Sequence, residues 1–195
     1  MMKSICVFCG ANYNGDPNLK QAIELLADVV VSRDITLVFG GGKVGVMGLM
    51  ADAVLARGGK AIGVIPTFLM DKEVGHTGLT QMHIVENMHQ RKQMMSDLSD
   101  GIITLPGGFG TLEEFFEVLT WLQLGLHKKP IGILNVGGFY DFLLKQMDVM
   151  VEHRFLKPAN RELVLTSNDP IELVDIMSKF DANPDDVWFK ERNLI

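Results

Sequence analysis

Short apolar runs alternate with helical patterns along nearly the whole chain, and this alternation restricts the possible folds more than any other feature. Runs at residues 4–9, 36–39, 61–65, 83–85, 101–105, 131–134 and 163–165 have strand length. They are continuous rather than alternating, as expected for strands covered on both faces. Between them the period changes to that of a helix. Asp16-Pro17 reads as an N-cap followed by proline at the first helical position, opening a helix with Ile23, Leu26, Ala27 and Val30 on one side. Further helical patterns run over residues 46–57, where Gly58-Gly59 stops the helix, 88–98, 111–122, 140–152 and 170–180. Such alternation gives a parallel sheet with helices on both faces. The expected fold is a three-layer α/β sandwich around about seven strands. No repeat, low-complexity tract or linker interrupts the 195 residues, so a single domain over 1–195 is expected. The loop over residues 66–81 is long for such a fold and carries Asp71, Lys72, Glu73 and His76, while residues 183–195 show only a weak pattern.

Charge narrows the partners. The chain has 24 Asp+Glu against 18 Lys+Arg, a net charge of −6, with 47% apolar and 22% charged residues. That is an ordinary globular balance, and it argues against sequence-blind binding to nucleic acid or to an anionic membrane. The start, Met1-Met2-Lys3-Ser4-Ile5-Cys6-Val7-Phe8-Cys9, is apolar only until Gly10. A secretory core needs about 7–15 apolar residues and a membrane span about 20, so a soluble, cytoplasmic protein is expected. Cys6 and Cys9 form a lone C-x-x-C within a strand. Residues three apart on a strand face opposite sides, so they read as two small buried residues rather than a redox pair.

Two glycine loops stand out, each after a strand and before a helix. The first is Gly40-Gly41-Gly42-Lys43-Val44-Gly45-Val46-Met47-Gly48. Gly40, Gly42 and Gly45 match the dinucleotide pattern G-x-G-x-x-G, but the next strand ends Val64-Ile65-Pro66 without the acidic residue that this reading wants. It is not a Walker A loop either, since no Ser or Thr follows Lys43. Gly41, Gly42 and Gly45 serve either an anion at a helix N-terminus or tight turning and close helix–sheet packing. The second loop is Pro106-Gly107-Gly108-Phe109-Gly110-Thr111-Leu112-Glu113-Glu114, at the carboxyl end of a strand, where open α/β sheets bind ligands. Its glycines expose donors for a phosphate, and the Thr111 hydroxyl adds another. Glu114 has two readings. Thr111-x-x-Glu114 has the spacing of a capping box, and a carboxylate beside a phosphate cradle can also touch a ribose or a water.

A third feature is Glu86-Asn87-Met88-His89-Gln90-Arg91-Lys92-Gln93-Met94-Met95. On a helix Met88, Arg91, Met95 and Leu98 form one stripe, which puts Arg91 in the middle of an apolar face. An arginine there must find an anion, either a structural carboxylate or a ligand phosphate. No H-E-x-x-H or paired C-x-x-C indicates a metal, no G-x-S-x-G indicates a serine hydrolase, and the five histidines are scattered.

The second glycine loop is similar to the P-G-G-x-G-T-x-x-E motif of the LOG (Lonely Guy) family, and Arg91-Lys92 after Met88-His89-Gln90 resembles that family's second signature. Both occur at the family's relative spacing, and the resemblance covers roughly residues 4–178. It implies a Rossmann-like fold, usually dimeric and sometimes hexameric. It also implies hydrolysis of cytokinin riboside 5′-monophosphates to free base and ribose 5-phosphate, with AMP accepted by several bacterial members. Arg91 and Glu114 would be the catalytic pair. Glu73, Met88, Lys92, Gly107, Gly108, Phe109, Gly110, Thr111, Leu112, Glu113 and Thr120 would contact the nucleotide, with Gly107, Gly108, Gly110 and Thr111 holding its phosphate. Ala11 departs from the family, which commonly has Ser after Cys-Gly.

The implied chemistry needs no metal or organic cofactor. Breaking an N-glycosidic bond builds positive charge on the ribose, which a carboxylate near C1′ can stabilise while it orients water. The expected partners are a nucleoside 5′-monophosphate and a second copy of the chain. A rival from another class is a nucleotide-binding carrier or sensor without turnover. The lysine decarboxylase label often given to the family would require a Schiff-base lysine in a convincing context, which the sequence lacks.

Overall fold

The computed structural model describes residues 2–73 and 75–182, with residues 71–73 described in their backbone alone. Residues 183–195, whose weak pattern pointed to no element, lie outside the described residues. Seven strands form one sheet: β1 (Ser4–Phe8), β2 (Thr36–Phe39), β3 (Ala61–Pro66), β4 (Gln81–Val85), β5 (Gly101–Thr104), β6 (Ile131–Leu134) and β7 (Val164–Ser167). Their order is β4-β3-β2-β1-β5-β6-β7, and every neighbouring pair is parallel. The helices are α1 (Pro17–Ser32), α2 (Gly45–Ala56), α3 (Thr67–Glu73), α4 (Met88–Asp97), α5 (Phe109–Gln123), α6 (Asp141–Glu152), α7 (Pro158–Arg161) and α8 (Pro170–Ser178).

The continuous apolar strands do what their pattern requires and feed two cores. Ile5 and Val7 of β1 join Leu37 and Ile103 under Leu26 of α1, Met50 of α2 and Val174 of α8. Cys6 and Phe8 point the other way, with Val38 and Ile102, under Met95 of α4, Phe115 of α5 and Met147 of α6. The sheet is therefore the middle layer of a Rossmann-like sandwich. Cys6 and Cys9 are both buried and unbridged, and they belong to opposite cores. Asp16 caps α1 as its sequence position indicates, its side chain accepting from the Asn18 N–H at 2.9 Å.

The chain winds outward from β1 through β4 and then returns to β5 on the other side of β1. This places a topological switch point between β1 and β5, where the loops at their carboxyl ends leave a crevice. Main-chain bonds draw three loops together there. The Gly10 N–H donates to the Pro106 carbonyl at 3.2 Å, and the Gly10 carbonyl accepts from the Val46 N–H at 3.0 Å.

Several element bounds differ from the sequence expectation, among them β4, which starts at Gln81, and β7, which runs on to Ser167, and three differences are larger. The long loop after β3 contains α3, fastened at its start by the Thr67 hydroxyl on the Val85 carbonyl at 3.3 Å. Seven residues are too few to display a helical period. The short α7 is likewise new. Helix α5 begins at Phe109 rather than Thr111, with Gly108 as N-cap and no side-chain cap. Thr111 is thus inside the first turn and Glu114 a turn beyond it, so the capping box does not form. Among the described residues, no helix is long and apolar enough to cross a membrane.

Candidate active site

A cleft of about 580 Å³ opens at the switch point. Its walls come from the loop after β1 (Asn12, Tyr13, Asn14), the start of α2 (Val46, Met47), Leu69 of α3, Met88 of α4, and Val136 and Phe139 after β6. Arg91 and Glu114 lie within it, and Gly107, Gly108, Gly110, Thr111 and Glu113 form the side at the start of α5.

Arg91 finds partners of three kinds. Its Nε donates to the Val64 carbonyl at 3.1 Å and its Nη2 to the Gly40 carbonyl at 3.2 Å. Its Nη1 faces Glu114 Oε1 at 3.5 Å, with Met88 Sδ at 3.9 Å. Both charged side chains are buried, at 7% and 10% side-chain exposure. Two backbone carbonyls thus fix the guanidinium plane, and the remaining edge presents its charge to the carboxylate. Of the two anions open from sequence, the structure supplies the carboxylate. Gly40 is glycine for the same reason, because a Cβ there would stand 2.0 Å from Arg91 Nη2.

The loop Gly107-Gly108-Phe109-Gly110-Thr111 opens α5, and no side chain caps its first turn. The N–H groups of such a turn carry the positive end of the helix dipole and suit an anion. A Cβ on Gly107 would meet Thr111 Oγ1 at 2.1 Å and Gly10 N at 2.9 Å, so glycine lets three segments close on one another.

The other residues singled out by sequence separate into groups. Lys92 is buried, paired with Glu113 and, at 2.9 Å, with Glu117. Burial works against its charge, yet the two carboxylates outweigh it and hold the ammonium above its usual range. Lys92, Phe109, Leu112 and Thr120 stay outside the cleft lining. Phe109 is 94% exposed, and the Thr120 hydroxyl bonds its own helix at the Phe116 carbonyl, 2.7 Å away. Glu73 ends α3, and its side chain lies outside the described residues. The first glycine loop packs closely against its neighbours. Gly41 and Gly45 have φ of +78° and +68°, a Cβ on Gly45 would lie 2.2 Å from the Ala11 backbone, and Gly42 bridges to Gly75. Sequence reasoning missed Asn12, Tyr13, Asn14, Met47 and Phe139. The sequence places Ala11 and its neighbours in a loop after a strand, which is the one signal that could have marked three of them.

The thiols take no part in nucleophilic chemistry here. Burial pushes Cys9 far above the usual thiol range, and the nearby Glu114 charge adds to it against the pull of Arg91. The same effects raise Cys6.

Residues 47–177 match a family described as possible lysine decarboxylase. The cytokinin riboside 5′-monophosphate phosphoribohydrolase LOG7 of Arabidopsis thaliana is 42% identical over 96% of this chain and 87% of its own. LOG1 of the same plant, which carries the same description, is 46% identical over 88% of this chain and 81% of its own. The chain belongs to the LOG family. A molybdenum cofactor carrier protein from Chlamydomonas reinhardtii superposes with a TM-score of 0.67 at 17% identity, covering 92% of this chain and 98% of that one. At that identity the likeness shows a common fold and nothing more. The decarboxylase description common in the LOG family finds no lysine among the described residues that line the cleft.

Proposed function

We propose that this protein hydrolyses the N-glycosidic bond of cytokinin riboside 5′-monophosphates and of AMP, releasing the free base and ribose 5-phosphate. The observation that carries the reading is the buried Arg91–Glu114 pair in a cleft bordered by the uncapped start of α5. The 5′-phosphate seats on the N–H groups of that first turn and the Thr111 hydroxyl, which sets the sugar over Glu114. As the C1′–N bond breaks, the base leaves with the bonding electrons and takes a proton from solvent, to which Glu114 returns the one it gains from the attacking water, and positive charge spreads over C1′ and the ring oxygen. Glu114 stabilises that charge and receives a proton from the water that attacks C1′. Arg91, tethered to Val64 and Gly40, stays against the Glu114 carboxylate at 3.5 Å and aims it rather than travelling to the phosphate. The oxygen comes from water, and neither electrons nor a group need a carrier, so no cofactor is called for.

Two further parts belong to this reading. The protein acts in the cytoplasm, where nucleoside monophosphates are made, and it acts as a homodimer or a larger homo-oligomer. Support for the second comes from α5, which buries Phe115, Val118 and Leu122 but leaves Leu112, Phe116, Leu119 and Trp121 partly uncovered.

Incubation with AMP and with an isoprenoid-adenine ribotide, followed by chromatography for free base, tests the activity. Release of base from either supports the proposal. Tight AMP binding without release overturns it in favour of a carrier or sensor.

A further inference from the structure

The Pro106-Gly107-Gly108 turn is held from two sides. On the β1 side, the Gly10 N–H bonds the Pro106 carbonyl. On the β6 side the strand ladder has already ended, since the last β5–β6 pair is Thr104 with Ile133. The Leu105 carbonyl is therefore beyond the ladder, and its acceptor need is met by a side chain. The Tyr140 hydroxyl donates to it at 2.8 Å. Tyr140 is 3% exposed, and it is seated by its own N–H on Asn135 Oδ1 at 2.8 Å. Asn135 in turn is fixed through its N–H to the Ser167 carbonyl at 2.9 Å and through Nδ2 to Asp141 at 2.7 Å. Burial keeps the Tyr140 phenol protonated far above its usual range.

A buried hydroxyl needs a partner, and here it finds one two residues before Gly107. The turn has little slack, because even a Cβ on Gly107 would stand 2.1 Å from Thr111 Oγ1 and 2.9 Å from Gly10 N. A shift at Leu105 passes directly to the Thr111 hydroxyl and to the first N–H groups of α5. We infer that Tyr140 is a positioning residue for phosphate recognition: its hydroxyl locks the Leu105 carbonyl and so sets where the start of α5 meets the nucleotide's 5′-phosphate. The inference rests on the proposed seat of that phosphate. It deepens that reading by adding a residue that touches neither phosphate nor sugar.

The test is calorimetric binding of AMP and of adenosine to the wild type, Tyr140→Phe and Asn135→Ala, with a melting curve for each. Tyr140→Phe keeps the ring and removes the tether. It is expected to weaken AMP about tenfold while adenosine changes less than twofold. Asn135→Ala leaves the hydroxyl but loosens its seat, and a smaller loss confined to AMP is expected, which also covers the case of Tyr140→Phe failing to fold. Equal losses for AMP and adenosine would mean general loosening, and an unchanged AMP affinity would mean a purely structural hydroxyl. Either result overturns the inference, as does a wild type that binds adenosine as tightly as AMP. Base release from the wild type, measured separately, decides the hydrolase reading without bearing on this one.

Discussion

An arginine in an apolar helical stripe is costly unless every part of its guanidinium is used, and Arg91 meets that condition with two carbonyls and one carboxylate. Its partner Glu114 gives the sharpest residue-level prediction. Glu114→Gln keeps the shape and an oxygen that can face Arg91 Nη1, 3.5 Å away in the wild type, but it removes the charge that would face a ribosyl cation. Turnover should fall about a hundredfold or more, roughly 3 kcal/mol of transition-state stabilisation, and the melting temperature should also fall, because Arg91 keeps its two carbonyls but loses its buried counter-charge. Rates of base release and a thermal melt on that one variant decide the matter, and near-normal turnover would remove Glu114 from the mechanism. Both residues were legible in the sequence as exceptions to a pattern, one a charge in an apolar stripe and the other an acid beside glycines. Their relation was not legible, because spacing alone could not say whether Glu114 capped its helix. Tyr140 gave no signal at all, since an aromatic residue at the start of a helix looks the same whether or not its hydroxyl carries a bond.

At the scale of elements, all seven expected strands form, whereas two short helices, α3 and α7, were not expected. Continuous apolar runs have hard ends at glycine, proline or charge, and β2 and β6 have the expected bounds. Helix α5 shows the opposite case. Its first residues, Phe109 and Gly110, belong to no apolar period, so the sequence moves the start to Thr111, yet the chain is already helical at Phe109. That difference of two residues turns Thr111 from a cap into part of an open first turn. The open turn carries the next prediction. If its N–H groups seat the 5′-phosphate, removing the phosphate removes several charge-assisted bonds together with the alignment that they impose. Adenosine should then show a kcat/KM about a hundredfold or more below that of AMP. Steady-state rates on the two compounds measure this, and equal efficiencies would show that the phosphate sits elsewhere. The first glycine loop makes the complementary point. With φ of +78° at Gly41 and +68° at Gly45, and no room for a Cβ on Gly45 beside the Ala11 backbone, those glycines fit the tight-packing reading that the sequence left open beside an anion site.

At the scale of the whole molecule, α5 concentrates apolar residues that stay partly uncovered. On the α1, α2 and α8 side, the helices pack against the sheet and each other, with Val31, Leu49, Leu55 and Ile176 only partly buried and Leu25 and Ile171 exposed. On the other side, α5 is apolar around more of its circumference than one sheet face can cover. Leu112, Phe116, Leu119 and Trp121 line the outer edge of that core, joined by Leu143 and Leu144 of α6. Such a partly covered surface is stabilised by a partner, and a second copy of the same chain is the simplest one, since a two-fold axis lets a single patch serve both subunits. A stable interface of this kind buries on the order of 1,600 Å² in total. Light scattering at micromolar concentration should therefore give twice the chain mass or a higher multiple. Leu119→Asp should shift that mass toward the monomer, because a carboxylate held in an apolar interface is left unpaired while in the separated chain it meets water. A wild type that scatters as a monomer at micromolar concentration would count decisively against self-association. A dimer insensitive to Leu119→Asp would place the interface on another face.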